Sequence, residues 1–486
     1  MKRYQIIFQQ LQQQIQQGTL RPGDTLPSIR SLSLQSGFGK NTIIRAYQEL
    51  EAELLIEPKD RSGFVVTHQV NRAETNGTST SGHSKAKASP NALQPKKVQL
   101  GALPLKVLAA ASDQNKIQFG SAHPAIQHPA CRRFYQILAR QSYQFANSSK
   151  ANSHYTHAPG LLALRQQICR RLSIGNQTVS ADDLVITNGA QEAVTLSLLA
   201  TANSGDTIAV ETPCFYGTLS CIEALGMKVL EIPSDPSHGI NLELLDDALK
   251  KWPIKALLLN PNFNNPLGFE MPTNKKQQLL DITKTQQLPI IEDDVFGELY
   301  YHNKPTTLKS LDKENRVIYC SSLSKTLHSD IRIGWVAAGK YFEKVNFLKC
   351  MMTMASPGVV QYAAADFLKD SHYERHLRRM RSIYQQRWLN FKEALYLHWP
   401  QLFTLSEPTG SFLCWVEFPK NIDTNWIFEQ ADQNNIGITP GSLFSASGQF
   451  KNCLRMNFST FNGDEQQIAA LVLIGKLINQ AVLKNP

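Results

Sequence analysis

Residues 317–332 read VIYCSSLSKTLHSDIR. Val317-Ile318-Tyr319 is apolar at successive positions, so a strand there would be buried on both faces. Ser322-Leu323-Ser324-Lys325 follows it directly, and Arg332 lies seven residues beyond the lysine. Four more short runs have the same character: Leu184-Val185-Ile186, Thr207-Ile208-Ala209-Val210, Lys255-Ala256-Leu257-Leu258-Leu259 and Pro289-Ile290-Ile291. Helix-length segments separate them. This alternation predicts an α/β fold, a mostly parallel sheet covered by helices. Ligands of such sheets bind at the carboxyl ends of the strands.

The polar residues at those ends form a consistent set. Asp293 follows Ile290-Ile291-Glu292 at the end of one strand. Phe215 stands two residues past Pro213. Asn188-Gly189-Ala190-Gln191 opens a helix, and the free N–H groups of a helix N-terminus suit a phosphate. A pyridoxal-phosphate (PLP) site needs a lysine for the Schiff base, an acid at the pyridine nitrogen, an aromatic over the ring and a phosphate cup. All four occur here. Each motif is common alone; their joint order and spacing carry the reading.

Upstream, residues 71–97 read NRAETNGTSTSGHSKAKASPNALQPKK, almost free of large apolar side chains. Such a segment cannot bury enough surface to offset its ordering entropy, which predicts a flexible linker over residues 71–98. It divides a head, residues 1–70, from a body, residues 99–486. In the head, Ile7, Leu11 and Ile15 recur at helical spacing. A second helix follows Pro27-Ser28, with Ser28 as its N-cap. After Ser36-Gly37-Phe38-Gly39, a third helix carries Ile43, Tyr47, Leu50 and Leu54 on one face. Residues 56–67 then alternate loosely about Arg61-Ser62-Gly63, as a strand–turn–strand wing does. Lys40, Asn41, Thr42 and Arg45 lie near the open face of the third helix. Side chains at the start of a recognition helix reach base edges and phosphates in the major groove of DNA. Arg30, on the helix before, is placed to clamp a phosphate or a guanine.

Composition narrows the class further. The chain has 486 residues, 42% of them hydrophobic and 19% charged. It is too long for one core, since single cores stop growing near roughly 250–300 residues. No run has the ~18–20 consecutive apolar residues of a membrane span, and MKRYQIIFQQLQQQIQQG lacks the apolar stretch of a secretory signal. The eight cysteines include no C-x-x-C pair, which argues against a disulfide framework and a zinc site. A cytoplasmic protein without a metal or a membrane partner is expected. The net charge is +10, yet residues 1–70 hold eight Lys/Arg against six Asp/Glu. The DNA reading therefore rests on the motif.

Three resemblances follow from these residues. Residues 4–67 resemble the GntR family of winged helix-turn-helix regulators, through Leu20-Arg21-Pro22-Gly23, Leu26-Pro27-Ser28-Ile29-Arg30, Asn41-Thr42, Ala46-Tyr47 and Ser62-Gly63-Phe64-Val65. Gly39 stands where that family usually has a capping Ser, and Leu54 where a Gly usually precedes the wing. Most of residues 115–480 resemble the fold-type I aminotransferases, which implies a smaller C-terminal α+β domain and a site at a dimer interface. The resemblance implies Lys325 as the Schiff-base lysine and Asp293 as partner of the pyridine nitrogen. It implies Asn265 on the ring hydroxyl, and Gly189, Ala190, Gln191, Ser322 and Arg332 around the phosphate. Tyr155 would reach the phosphate of the partner subunit, and Arg455 would pair with a substrate carboxylate. Phe296 replaces the tyrosine that usually lies three residues after this aspartate. Head and body together resemble the MocR regulators. That implies a bacterial homodimer that binds operator DNA and senses PLP, or an amine or amino acid as an external aldimine. The competing expectation is a working aminotransferase with a DNA-binding head.

Overall fold

The computed structural model describes residues 3–16, 19–20, 24–52, 56–59, 63–66, 93–125, 129–147, 155–172, 179–369 and 372–484. They fall into two compact units, one within residues 1–86 and one within residues 87–486. Residues 71–92 of the expected linker, Leu54, and Arg61-Ser62 of the wing turn lie outside the described residues.

In the head, α1 (Arg3–Gln16), α2 (Ile29–Ser36) and α3 (Lys40–Ala52) precede the hairpin β1 (Ile56–Lys59) and β2 (Gly63–Val66). Ile7, Leu11, Ile43, Tyr47 and Leu50 meet in one core, as their spacing predicts. Ser28 caps α2 by accepting from the Ser31 N–H at 3.1 Å. Gly37, at φ +71°, ends the helix in the left-handed conformation that a side chain disfavours. The Tyr47 hydroxyl donates to the Pro27 carbonyl at 2.6 Å, tying α3 to the entry of α2. The hairpin is antiparallel, pairing Ile56 with Val66 and Lys59 with Gly63.

The body's strands are, in chain order, β3 (Lys96–Lys97), β4 (Ile117–Gln118), β5 (Leu184–Thr187), β6 (Thr207–Thr212), β7 (Lys228–Asp235), β8 (Gly239–Ile240) and β9 (Ile254–Leu259). There follow β10 (Ile290–Asp293), β11 (Val317–Ser322), β12 (Gly334–Ala337), β13 (Thr404–Leu405), β14 (Leu413–Glu417), β15 (Ile436–Gly437), β16 (Thr439–Pro440) and β17 (Cys453–Asn457). The large sheet runs β3-β7-β6-β9-β10-β11-β12-β5, with β8 beside β7. From β7 to β11 it is parallel. β12 runs antiparallel to both β11 and β5, so Leu184–Thr187 joins the sheet only through an antiparallel neighbour. The smaller sheet is β13-β14-β17-β16, and β4 pairs with β15 to bring residues 117–118 to that end of the body.

The helices are α4 (Leu103–Ser112), α5 (Pro129–Asn147), α6 (Leu162–Leu172), α7 (Ala190–Thr201), α8 (Tyr216–Ala224), α9 (Leu242–Lys251) and α10 (Thr273–Lys284). They continue with α11 (Leu308–Leu311), α12 (Phe342–Thr353), α13 (Gly358–Lys369), α14 (His372–His398), α15 (Thr424–Gln433) and α16 (Glu465–Lys484). By length and composition α16 could cross a membrane. Here it packs Leu471, Ile474, Leu477 and Ile478 into the body's core.

The linker expected to reach residue 98 ends earlier. Lys96 and Lys97 pair with Val229 and Lys228 at the sheet edge, and Val98 is buried. Lys96 forms an ion pair with Glu231. Composition hid this, because two lysines on an edge strand look like linker residues.

Candidate functional site

The parallel strands end at one cavity of about 150 Å3. Its lining includes Ala190, Gln191, Phe215, Asn265, Asp293, Ser322, Lys325 and Arg332. Eight of the expected cofactor residues thus meet in one place, although they span residues 190–332.

At one wall, Asp293 ends β10. Its Oδ1 is buried without a hydrogen-bond partner. Burial, with Asp294 beside it, pushes this carboxyl up to about 7, against the opposing pull of Lys325. The Lys325 ammonium donates to the Ala122 carbonyl at 2.7 Å. Burial and then Arg455 push Lys325 down to about 8, while Asp293 opposes. An amine of this kind is poised to act as a nucleophile near neutral pH.

Beside Arg332, Gly189 precedes α7 with φ +87°. A Cβ there would lie 2.3 Å from Arg332 Nη2, so the close approach of the guanidinium requires glycine. Arg332 is itself at φ +51°. It donates to the Asn188 carbonyl at 2.7 Å and to Ser324 Oγ at 3.2 Å. First-turn amides have no carbonyl partner within their own helix, which leaves Ala190 and Gln191 suited to an anion. The Gln191 side chain donates to the Gly217 carbonyl at 2.8 Å. Phe215 fixes the third side, and a Cβ on Gly217 would meet its ring at 2.4 Å.

A polar net that the spacing did not reveal holds these groups. Asn260 donates to the Asp293 carbonyl and accepts from the Asn265 N–H at 2.7 Å. Glu211, at the end of β6, accepts from the Asn260 N–H at 2.6 Å and from Asn264 Nδ2 at 2.8 Å. Burial pushes Glu211 up to about 8, so it holds its proton at neutral pH. Both residues line the cavity. Their position at carboxyl ends of strands was the available signal.

Arg455 is buried and does not line the cavity. It donates to Asn265 Oδ1 at 3.3 Å, to Thr439 Oγ1 at 3.2 Å and to the Gly120 carbonyl. Its Nε has no partner. Tyr155 stands apart, 67% exposed. Phe296 lines the cavity, edge-on to Phe412 at 5.5 Å.

The residues present fit PLP. The amine, the aromatic and the anion cup are joined by an orphaned buried carboxylate oxygen, which a protonated pyridine nitrogen would satisfy.

On the head, Lys40 is exposed and Thr42 half-buried at the start of α3. Arg45 is exposed, with its guanidinium 4.4 Å above the Tyr4 ring. That cation–π contact holds it to α1. The side chains of Arg30 and Asn41 lie outside the described residues.

Comparison with known proteins agrees with both halves. The model for aminotransferase class I and II matches residues 114–472, and that for bacterial regulatory proteins of the gntR family matches residues 3–66. The HTH-type transcriptional regulator YjiR of Escherichia coli K12, itself uncharacterized, is 36% identical over 99% of this chain and 100% of its own length. YdcR of the same organism is 35% identical over 99% and 100%. The kynurenine aminotransferase of Pyrococcus horikoshii superposes with a TM-score of 0.70 at 26% identity, over 78% of this chain and 94% of that one. The chain therefore belongs to the class I and II aminotransferase family in its body and the GntR family in its head, a transcriptional regulator of MocR architecture.

Proposed function

We propose that the body binds PLP through Lys325 and that occupancy of this site controls the DNA affinity of the head. The observation that carries the proposal is Asp293 Oδ1, buried and unpartnered in a cavity that Lys325, Ala190 and Arg332 also line. PLP bound there would act as an electron sink and as a carbonyl that captures amines. Asp293 would hold the proton of the ring nitrogen, and Asn265 would face the ring hydroxyl. Gly189, Ala190, Gln191, Ser322 and Arg332 would hold the phosphate. The signal is PLP itself, or an amine or amino acid joined to it, whose carboxylate Arg455 would take from its present partners. Such a ligand shifts DNA binding only by its different affinity for two conformers. Lys40, Asn41, Thr42, Arg45 and Arg30 would contact operator DNA, which places the protein's work in the bacterial cytoplasm.

The unit that does this is a homodimer. Phe347, Met351 and Met352 of α12, with Met354 just beyond, are exposed, and this supports the dimer reading. Tyr155, exposed and away from its own cavity, fits a role toward the partner's phosphate.

A second reading, an aminotransferase, is favoured by the joint presence of Lys325, Asp293, Asn265 and Arg455. Phe296 weakens it by removing a hydroxyl donor from the wall. Multiple-turnover assays with an amino acid and a 2-oxo acid separate the two; turnover at enzyme-like rates would favour the second. The first test is the visible spectrum of the full chain with added PLP beside Lys325→Ala. A lysine-dependent band is expected, and its absence would refute the cofactor site.

A further inference from the structure

A group of arginines lies on the body outside the cavity. α14 buries Tyr373, His376, Leu377 and Met380 and leaves Arg375, Arg378 and Arg379 exposed. At ~100° per residue these three fall within an arc of about 100°, opposite the buried stripe. α5 likewise buries Cys131 and Phe134 and leaves Arg132 and Arg133 exposed.

Both helices grip the same short loop, the one that follows Lys325. The Tyr373 hydroxyl donates to Thr326 Oγ1 at 2.6 Å, and His376 Nε2 lies 2.8 Å from the Thr326 carbonyl. Cys131 Sγ lies 3.3 Å from the Leu327 carbonyl. The two helices whose buried faces hold residues 326–327 thus carry five arginines on their exposed faces.

Two carboxylates on neighbouring helix positions are committed elsewhere. Glu374 pairs with Arg171 at 2.5 Å and Asp366 with Arg140 at 2.9 Å. Among the described residues, none of the five arginines forms an ion pair with a carboxylate. Asp330, on the same loop, offsets part of the charge. Uncompensated guanidinium groups match phosphate oxygens bidentately, which a lysine cannot do. Over residues 129–136 and 372–382 Tyr135 is the single exposed large hydrophobic side chain, whereas a lipid-binding face carries a row of them.

We propose that this patch is a second DNA-contacting surface, gripping the phosphate backbone of duplex beyond the site read by the head. The proposal rests on the chain's being a DNA-binding regulator. Residues 67–92 reach at most ~90 Å when fully extended. Tethering by such a segment converts the second contact into an intramolecular one of high effective concentration.

The test is the salt dependence of binding of the full PLP-loaded chain to a labelled random-sequence duplex. Each phosphate neutralised contributes a slope of about −0.9 in log K against log salt. Replacing Arg375→Gln, Arg378→Gln and Arg379→Gln together should flatten the slope by about 2–3 and weaken low-salt binding at least ~10-fold. These positions are exposed, so the melting temperature and the visible band should not change. An unaltered slope and affinity in this variant, with binding lost in Lys40→Gln/Arg45→Gln, would overturn the patch and leave the head's role intact. Absence of salt-dependent binding by the unsubstituted chain would overturn both.

Discussion

Lys325 and Asp293 titrate against each other across the cavity, and their shifts have one consequence. Lys325, pushed down to about 8, is a free amine over a pH range where an ordinary lysine stays charged. Asp293, pushed up to about 7, loses its charge as pH falls through that value and can no longer hold a protonated ring nitrogen. Both effects act in the same direction. PLP capture should accelerate with rising pH and level off above about 8, which stopped-flow absorbance can follow. A rate that climbs only near the ordinary lysine value would contradict the assignment. Phe296 offers a second test. A hydroxyl there would donate to the ring oxygen and stabilise its negative charge, reducing the demand for a proton on the imine nitrogen. The visible band of Phe296→Tyr should therefore titrate at lower pH than that of the unsubstituted chain; equal midpoints would remove the argument.

Among the elements, α7 and α12 share a buried ion pair. Lys349, on α12 and 1% exposed, lies 2.8 Å from Glu192 Oε2. Glu192 also accepts from the Asn188 N–H at 2.6 Å, behind the anion cup. Removing the carboxylate leaves a buried charge alone, so Glu192→Ala should cost about 3–5 kcal/mol in denaturant unfolding. A loss below ~1 kcal/mol, the worth of a surface pair, would mean the pair is hydrated. This coupling was not legible in the sequence, because no local pattern joins residues 157 positions apart. Periodic features were legible. The strands β5, β6, β9, β10 and β11 and the helices of the head lie where apolar spacing put them. β12 was not, since Gly334–Ala337 is short and its antiparallel direction depends on the turn that carries Lys325 and Arg332. Asn260 and Glu211 escaped for a related reason: a buried polar net is defined by partners across strands.

For the molecule as a whole, the proposed dimer can be tested at the exposed apolar side chains of α12. Phe347→Glu with Met351→Glu should convert a dimer into a monomer by sedimentation, and PLP retention should fall with it if Tyr155 serves the neighbouring site. Unchanged sedimentation would place the interface elsewhere. The body's cavity is proposed to govern the head's hold on DNA. The most direct measurement is operator affinity, on duplexes selected by the full chain from a random pool, with and without saturating PLP and with amino acids added to the loaded form. Affinity should change with occupancy in the unsubstituted chain, and Lys325→Ala should still bind DNA but lose this response. Identical affinity at every occupancy, or a response that survives in Lys325→Ala, would contradict the proposal.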